Sequence, residues 1–130
     1  MSGILIYSEK EAKRNIFAIN KFKENLDIKL ADENYDGKAD FVINRTNNYI
    51  IAQKFEQKGI RVFNPSSLSM LANNKQLCYE FMYKNGIEIL PINYREMPAV
   101  KKPIDGNGGQ NVTMIKKKKK FEPGFVYQKP

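Results

Sequence analysis

The first two thirds of the chain alternate short apolar runs with apolar stripes at helical spacing. Ile4 to Tyr7 is a brief apolar run bounded by turn residues, the pattern of a buried strand. Ser8 followed three residues later by Glu11 has the form of a capping box, in which each side chain satisfies an orphan amide of the first helical turn. Ala12, Ile16, Ile19, Phe22 and Leu26 then form one stripe, predicting a helix with one face on a sheet. A second strand is predicted at Ile28 to Leu30, followed by a polar loop from Asp32 to Lys38 with Asp36-Gly37 as its turn. Phe41 to Ile43 reads as a third strand, and Asn44, Arg45 and Thr46 fall at its carboxyl end, where open α/β sheets hold ligands. A helix follows with Tyr49, Ala52 or Gln53, and Phe55 at turn spacing, closed by Gly59. Ile60 to Phe63 makes a fourth strand, stopped by Asn64-Pro65. The pattern predicts a Rossmann-like α/β layer with a parallel sheet.

After this the signals change. Ser66 and Ser67 are placed to cap a short helix through Leu68 and Leu71. Asn73 or Asn74 caps the next, Lys75 to Lys84, which would bury Cys78, Phe81 and Met82 and close at Gly86. Tyr94 to Pro98 reads as a linker. Short antiparallel strands are predicted at Val100 to Lys102, Val112 to Ile115 and Phe125 to Gln128. Three such strands have too few apolar residues for a core of their own, so the chain is expected to stop partway into a second unit.

Between the first two of these strands lies a glycine-rich loop with Gly106, Gly108 and Gly109, entered through Lys101, Lys102 and Pro103. Glycines reach positive φ without strain and expose bare amides, and a lysine supplies charge, which is how a backbone closes over phosphates. Neither a Gly-x-x-x-x-Gly-Lys-Ser/Thr loop nor a Gly-x-Gly-x-x-Gly helix opening is present. Because a strand follows, the loop is a hairpin flap. A glycine-rich hairpin tip also occurs as a plain turn.

Composition removes many chemistries. The 130 residues contain no histidine and one cysteine, Cys78. His-based triads, His metal ligands, internal disulfides and thiolate clusters are therefore excluded within this sequence. Lysine, arginine, carboxylates, hydroxyls and backbone remain, the groups that handle phosphate. An apolar content of 42% supports a packed core. No apolar run is long enough to span a bilayer and no signal-peptide pattern opens the chain, so a cytoplasmic protein without membrane contact is expected. The net charge of +8 includes five consecutive lysines, Lys116 to Lys120. Such a block attracts polyanions but also serves as a solvated turn, and no aromatic residue interleaves it as a base-stacking platform would. Nucleic acid is accordingly not the expected partner.

Three features occur in order: Asn73-Asn74-Lys75 opening a helix, Lys102-Pro103 with its glycine flap, and the final strand Val126-Tyr127-Gln128-Lys129. With Asn44-Arg45-Thr46, the run Gly59 to Asn64, and Lys84-Asn85-Gly86-Ile87 ahead of Pro91, the order resembles the ATP-grasp superfamily of carboxylate–amine ligases. Within it, the ligases that add glutamate to a ribosomal protein are the nearest likeness, with D-alanine:D-alanine ligase and glutathione synthetase more distant. The resemblance covers nearly the whole chain. It implies a pre-ATP-grasp domain at residues 1–66 and the start of an ATP-grasp nucleotide-binding domain at residues 67–130.

The resemblance also implies roles. Lys75 matches a lysine that reaches nucleotide phosphates. Lys102 matches the lysine of the first grasp strand, which contacts phosphate and the adenine side. Gly106, Gly108 and Gly109 match the flap over the β and γ phosphates, and Gln128 and Lys129 match the hinge that recognises adenine; Gln128 replaces a frequent glutamate. Lys101 and Lys102 are adjacent in a strand, so they must point to opposite faces. Arg45 and Thr46 are candidates for substrate, or for plain lining of a solvent cleft.

The implied reaction uses ATP and Mg²⁺ to convert a carboxylate of a small molecule or peptide to an acyl phosphate, which an amine attacks. Two departures stand out. A helix normally found between Ile115 and the last strand is replaced by the lysine block and Phe121-Glu122-Pro123-Gly124. The magnesium-binding carboxylates belong to the family's later half, and Asp105 and Glu122 do not replace them, so no metal or catalytic residue is assigned and the chain alone is expected to turn over little. An unpaired sheet edge suggests a homo-oligomer. The alternatives are a non-catalytic α/β binding module whose basic tail meets nucleic acid or an acidic protein, and a shortened regulatory remnant that pairs with a full-length ligase.

Overall fold

A computed structural model describes residues 1–106, 108–117 and 120–130. Asn107 of the glycine loop and Lys118 and Lys119 of the lysine block lie outside the described residues. The chain divides into two compact units, Met1–Met70 and Leu71–Pro130.

The first unit is built on four parallel strands in the order β2-β1-β3-β4, namely β1 (Gly3–Ile6), β2 (Ile28–Ala31), β3 (Phe41–Asn44) and β4 (Arg61–Phe63). Central β1 is buried at every position, as a strand covered on both faces must be. Its alternate residues feed two cores. Ile4 and Ile6 join Val42, Val62, Ile51, Ala52 and Phe55 on one side, and Leu5 and Tyr7 join Ile19 and Ile28 on the other.

The first helical stripe divides into α1 (Glu9–Arg14) and α2 (Ile16–Asn25). Asn15 causes the break: its side-chain amide donates to the Glu11 carbonyl at 2.8 Å, competing with the helix ladder, and its backbone leaves helical geometry at φ −111°, ψ 26°. The break turns Ile16 outward, and of the expected stripe only Ile19 is buried. Ser8 caps α1 by accepting the Glu11 amide at 3.3 Å, but the Glu11 carboxylate turns to Arg14 and Asn15, leaving the box one-sided. The loop after β2 turns at Glu33-Asn34, ahead of Asp36-Gly37, because the Asp32 carboxylate accepts the Asn34 amide at 2.8 Å and folds the chain locally.

Helix α3 (Tyr49–Gln57) is capped by Asn48, whose side chain accepts the Ile50 amide at 3.0 Å, and is ended by Gly59 at φ +73°. It buries Ile51, Ala52 and Phe55, whereas Tyr49 faces solvent. Helix α4 (Ser66–Ala72) begins at Ser66. The Ser66 hydroxyl and amide are held by the Glu56 carboxylate, so this serine anchors the helix to α3 and does not cap it.

In the second unit α5 (Lys75–Lys84) is capped by Asn74, which accepts the Leu77 amide at 3.0 Å, and Gly86 follows at φ +75°. Contrary to expectation it buries no residue; Phe81 is exposed and Cys78 and Met82 are half-buried. Among the described residues α5 makes no extended contact with another element, so its apolar face has no layer to enter. The unit's sheet is antiparallel in the order β6-β5-β7, with β5 (Ala99–Pro103), β6 (Thr113–Ile115) and β7 (Phe125–Gln128). Tyr94 to Pro98 forms no helix or strand, as expected of a linker, but a strap holds its start. Tyr127 donates its amide to Ile92, and Tyr94 donates its amide to Tyr127, each at 3.0 Å, so Ile92 to Tyr94 pairs with β7.

Phe55 is 1% exposed and stands where α3 meets the sheet. Phe55→Ala is expected to destabilise the first unit by about 3–5 kcal/mol in urea unfolding, and Tyr49→Ala on the same helix by under about 0.5 kcal/mol. Equal losses would contradict this packing.

Candidate functional site

Strand β5 sorts its two lysines by alternation. Lys101 lies on the face of Phe125 and Tyr127; its ammonium sits 3.9 Å from the Phe125 ring centroid and pairs with Glu122 at 2.6 Å. Lys102 lies on the opposite face, where its ammonium donates to the Gln128 side-chain carbonyl at 2.8 Å. Gln128 is 3% exposed and donates its own amide to the Leu90 carbonyl at 3.1 Å, so it is fixed from both ends. Lys101 is thus neutralised by a carboxylate, while Lys102 has only a neutral oxygen.

Lys75 is in the same condition. As the first residue of α5 it donates its backbone amide to Ile104 at 2.8 Å, and its ammonium donates to the Gly106 carbonyl. The start of the helix is therefore tied at two points to the loop leaving β5. Ile104 is held from the other side by its amide on Gly124 at 2.9 Å, which braces the loop against the turn before β7. A lysine in a helix's first turn opposes the helix dipole, and its partner here carries no charge to offset that. Among the described residues no carboxylate pairs with Lys75 or Lys102, and both are half-buried.

The flap itself is a β5–β6 hairpin. Gly108 and Gly109 have φ +58° and +73°, a region that only glycine enters freely, and added Cβ atoms there would meet open space. Gly106 is constrained differently: a Cβ would come within 3.1 Å of the Pro103 ring. Asn111 also has positive φ, at 57°, and the Val112 amide returns to the Gly109 carbonyl at 3.3 Å to close the tip. Lys129, next to Gln128, is exposed.

Arg45 and Thr46 belong to the first unit and follow β3. The Arg45 amide donates to Ile6 at 2.9 Å, which fixes the turn at the carboxyl end of the sheet. Thr46 is engaged by its neighbours: its amide and hydroxyl donate to the Asn44 side chain at 3.0 and 2.8 Å, and Asn44 donates to the Asn48 carbonyl at 3.1 Å. This buried Asn44 organises the loop, a role its position at a strand end announced only as a polar group. The Arg45 side chain borders a hollow of about 570 Å³ with Arg61, Phe41 and Phe63.

The second unit thus brings together Lys75 with Gly106, and Lys102 with Gln128. The residues present fit a nucleotide in chemical character: two ammonium groups lacking counter-charge, a flap of unhindered backbone and a buried carboxamide. They do not fit magnesium, because among the described residues no group of three or more carboxylate or thiol side chains converges. Among those residues no helix is long and apolar enough to cross a membrane.

No protein-family model and no curated protein matches the sequence. Solved structures do. N5-carboxyaminoimidazole ribonucleotide synthetase from Thermotoga maritima matches with a TM-score of 0.68 and 15% identity, over 98% of this chain and 46% of that one. A RimK domain ATP-grasp protein from Sphaerobacter thermophilus matches at 0.65 and 10%, over 90% and 54%. D-alanine–D-alanine ligase from Helicobacter pylori matches at 0.65 and 15%, over 91% and 59%. The chain therefore has the fold of the N-terminal part of ATP-grasp enzymes, a parallel α/β unit followed by antiparallel strands. It spans about half the length of the structures it matches.

Because Asn74 caps α5 by accepting the Leu77 amide, Asn74→Ala is expected to cost about 1 kcal/mol and to speed hydrogen exchange at that amide. Unchanged exchange at Leu77 would show that the cap does not hold α5.

Proposed function

We propose that this chain is the nucleotide-binding N-terminal portion of an ATP-dependent carboxylate–amine ligase. In this reading residues 1–66 form the domain preceding the grasp and residues 67–130 the first part of the ATP-binding domain. One observation carries it: Lys75 and Lys102 are half-buried ammonium groups whose partners are the neutral oxygens of Gly106 and Gln128. A cation withdrawn from water without a counter-charge is costly, and a polyphosphate supplies that charge.

Lys75 and Lys102 balance the phosphates, and backbone around Gly106, Gly108 and Gly109 closes over them. Gln128 and Lys129 serve the base. Arg45 and Thr46 serve the carboxylate substrate, chiefly Arg45, since the Thr46 hydroxyl is already bonded to Asn44. Bound ATP would supply the phosphoryl group that activates a carboxylate toward an amine. This chain's residues bind and orient it; the metal ligands and the remaining charge stabilisation lie outside the described residues. The likeness to glutamate-adding ligases makes glutamate the first amine to test. The same reading makes the protein cytoplasmic, and β6, which among the described residues pairs only with β5, is the edge through which copies associate.

Calorimetric titration of the purified chain with ATP is expected to give saturable one-to-one binding. Lys75→Ala and Lys102→Ala should each weaken it by about tenfold or more, near 1.4 kcal/mol, while Lys101→Ala changes it little. Absent ATP binding, together with nucleic-acid binding that is lost on replacing the lysine block, would overturn this reading in favour of a basic binding module.

A further inference from the structure

The face of β3 and β4 turned away from α3 is only partly covered. Val42 and Val62 pack with α3, so by alternation Phe41, Ile43, Arg61 and Phe63 share the opposite face. There the hollow of about 570 Å³ runs along the strands, walled on one side by Phe22 and Leu26 where α2 ends. Phe63 is 42% and Leu26 41% exposed, so an apolar floor and wall stay open to solvent.

The positive charge of this hollow gathers toward one end. Arg45, two residues beyond Ile43, stands at the carboxyl end of the sheet. Arg61 starts opposite Phe41, yet its guanidinium carbon lies 5.0 Å from the Phe63 ring centroid, against the row next to Arg45. Among the described residues neither arginine is in an ion pair. The carboxylate of the wall, Asp40, lies at the other end of β3 and accepts the Ser2 amide at 2.6 Å. A guanidinium resting on a ring keeps its planar fork ordered, the form in which arginine grips a carboxylate.

We propose that this hollow binds a medium-chain aliphatic monocarboxylate, its carboxylate on Arg45 and Arg61 and its chain along Ile43, Phe63 and Phe41 toward Leu26. Phe41 to Arg45 covers about 13 Å of strand, which sets the length of chain that fits. A polyphosphate would lay its charge against hydrocarbon, and an amine would meet unpaired guanidinium groups. A second copy presenting the same face would bring four such groups together without counter-charge. That the ligand is the carboxylate the ligase activates rests on the ligase reading; its binding to the first unit does not.

The test is calorimetry of the whole chain with octanoate, free of nucleotide, so that this inference and the ligase reading can fail separately. Acetate and n-octylamine are the comparison titrants. Saturable one-to-one octanoate binding is expected, weakened about tenfold in Arg45→Gln and again in Arg61→Gln, with acetate far weaker. Arg14→Gln removes the same charge from α1, away from the hollow, and should leave the affinity unchanged. All three arginines are exposed, so the variants should fold normally. No saturable heat at millimolar octanoate, octylamine binding as tightly as octanoate, or an affinity untouched by either Arg45→Gln or Arg61→Gln would overturn the proposal. So would a dimer, seen in sedimentation, that Phe63→Ser breaks and octanoate does not, because a second copy would then fill the hollow.

Discussion

A half-buried ammonium group with only a neutral oxygen for company is the constraint around which the second unit is organised. Lys75 and Lys102 come from different elements, a helix start and a strand interior, and each is fixed by a bond that leaves its charge unspent. Lys101 gives the internal control. One position away on β5 it faces the other side, pairs with Glu122 and covers the Phe125 ring, so its charge is consumed structurally. Alternation along one strand thus separates a lysine paired with a carboxylate from one bonded only to a carboxamide.

The supports of this arrangement run through backbone. Ile104 accepts from Lys75 and donates to Gly124, so the loop that carries the flap is tied to α5 on one side and to the approach of β7 on the other. Gln128 is buried at the end of β7 and spans from Lys102 to the Leu90 carbonyl. The first unit follows another logic, with β1 buried between two cores and polar groups gathered at the carboxyl ends of β1, β2 and β3.

Much of the architecture was legible because its punctuation is local. Asn74, one of the two expected caps, and Gly86 bracket α5, since a side-chain cap and a positive-φ glycine each act within a few residues. Where local signals compete, the reading failed. The chain does bend at Gly37, but the signal at Asp36-Gly37 hid an earlier turn, made where Asp32 reaches the Asn34 amide. Asn15 sat inside an unbroken apolar stripe, and only its bond to the Glu11 carbonyl explains the division of the helix. The Ile92 to Tyr94 strap depends on pairing with a strand more than thirty residues later, which no local pattern announces. For the site, periodicity fixed that Lys101 and Lys102 diverge, but the choice between them came from a motif. The geometry adds what no spacing carries, that one of the two has a carboxylate partner and the other a carboxamide.

The most direct test of the nucleotide reading is solution NMR of the lysine-labelled chain with a non-hydrolysable ATP analogue. If the uncompensated lysines hold phosphate, the side-chain signals of Lys75 and Lys102 and the amides of Gly108 and Gly109 should shift together along one saturation curve, with Lys101 nearly still. Shifts confined to the lysine block from Lys116 to Lys120, with Lys75 and Lys102 unmoved, would contradict it.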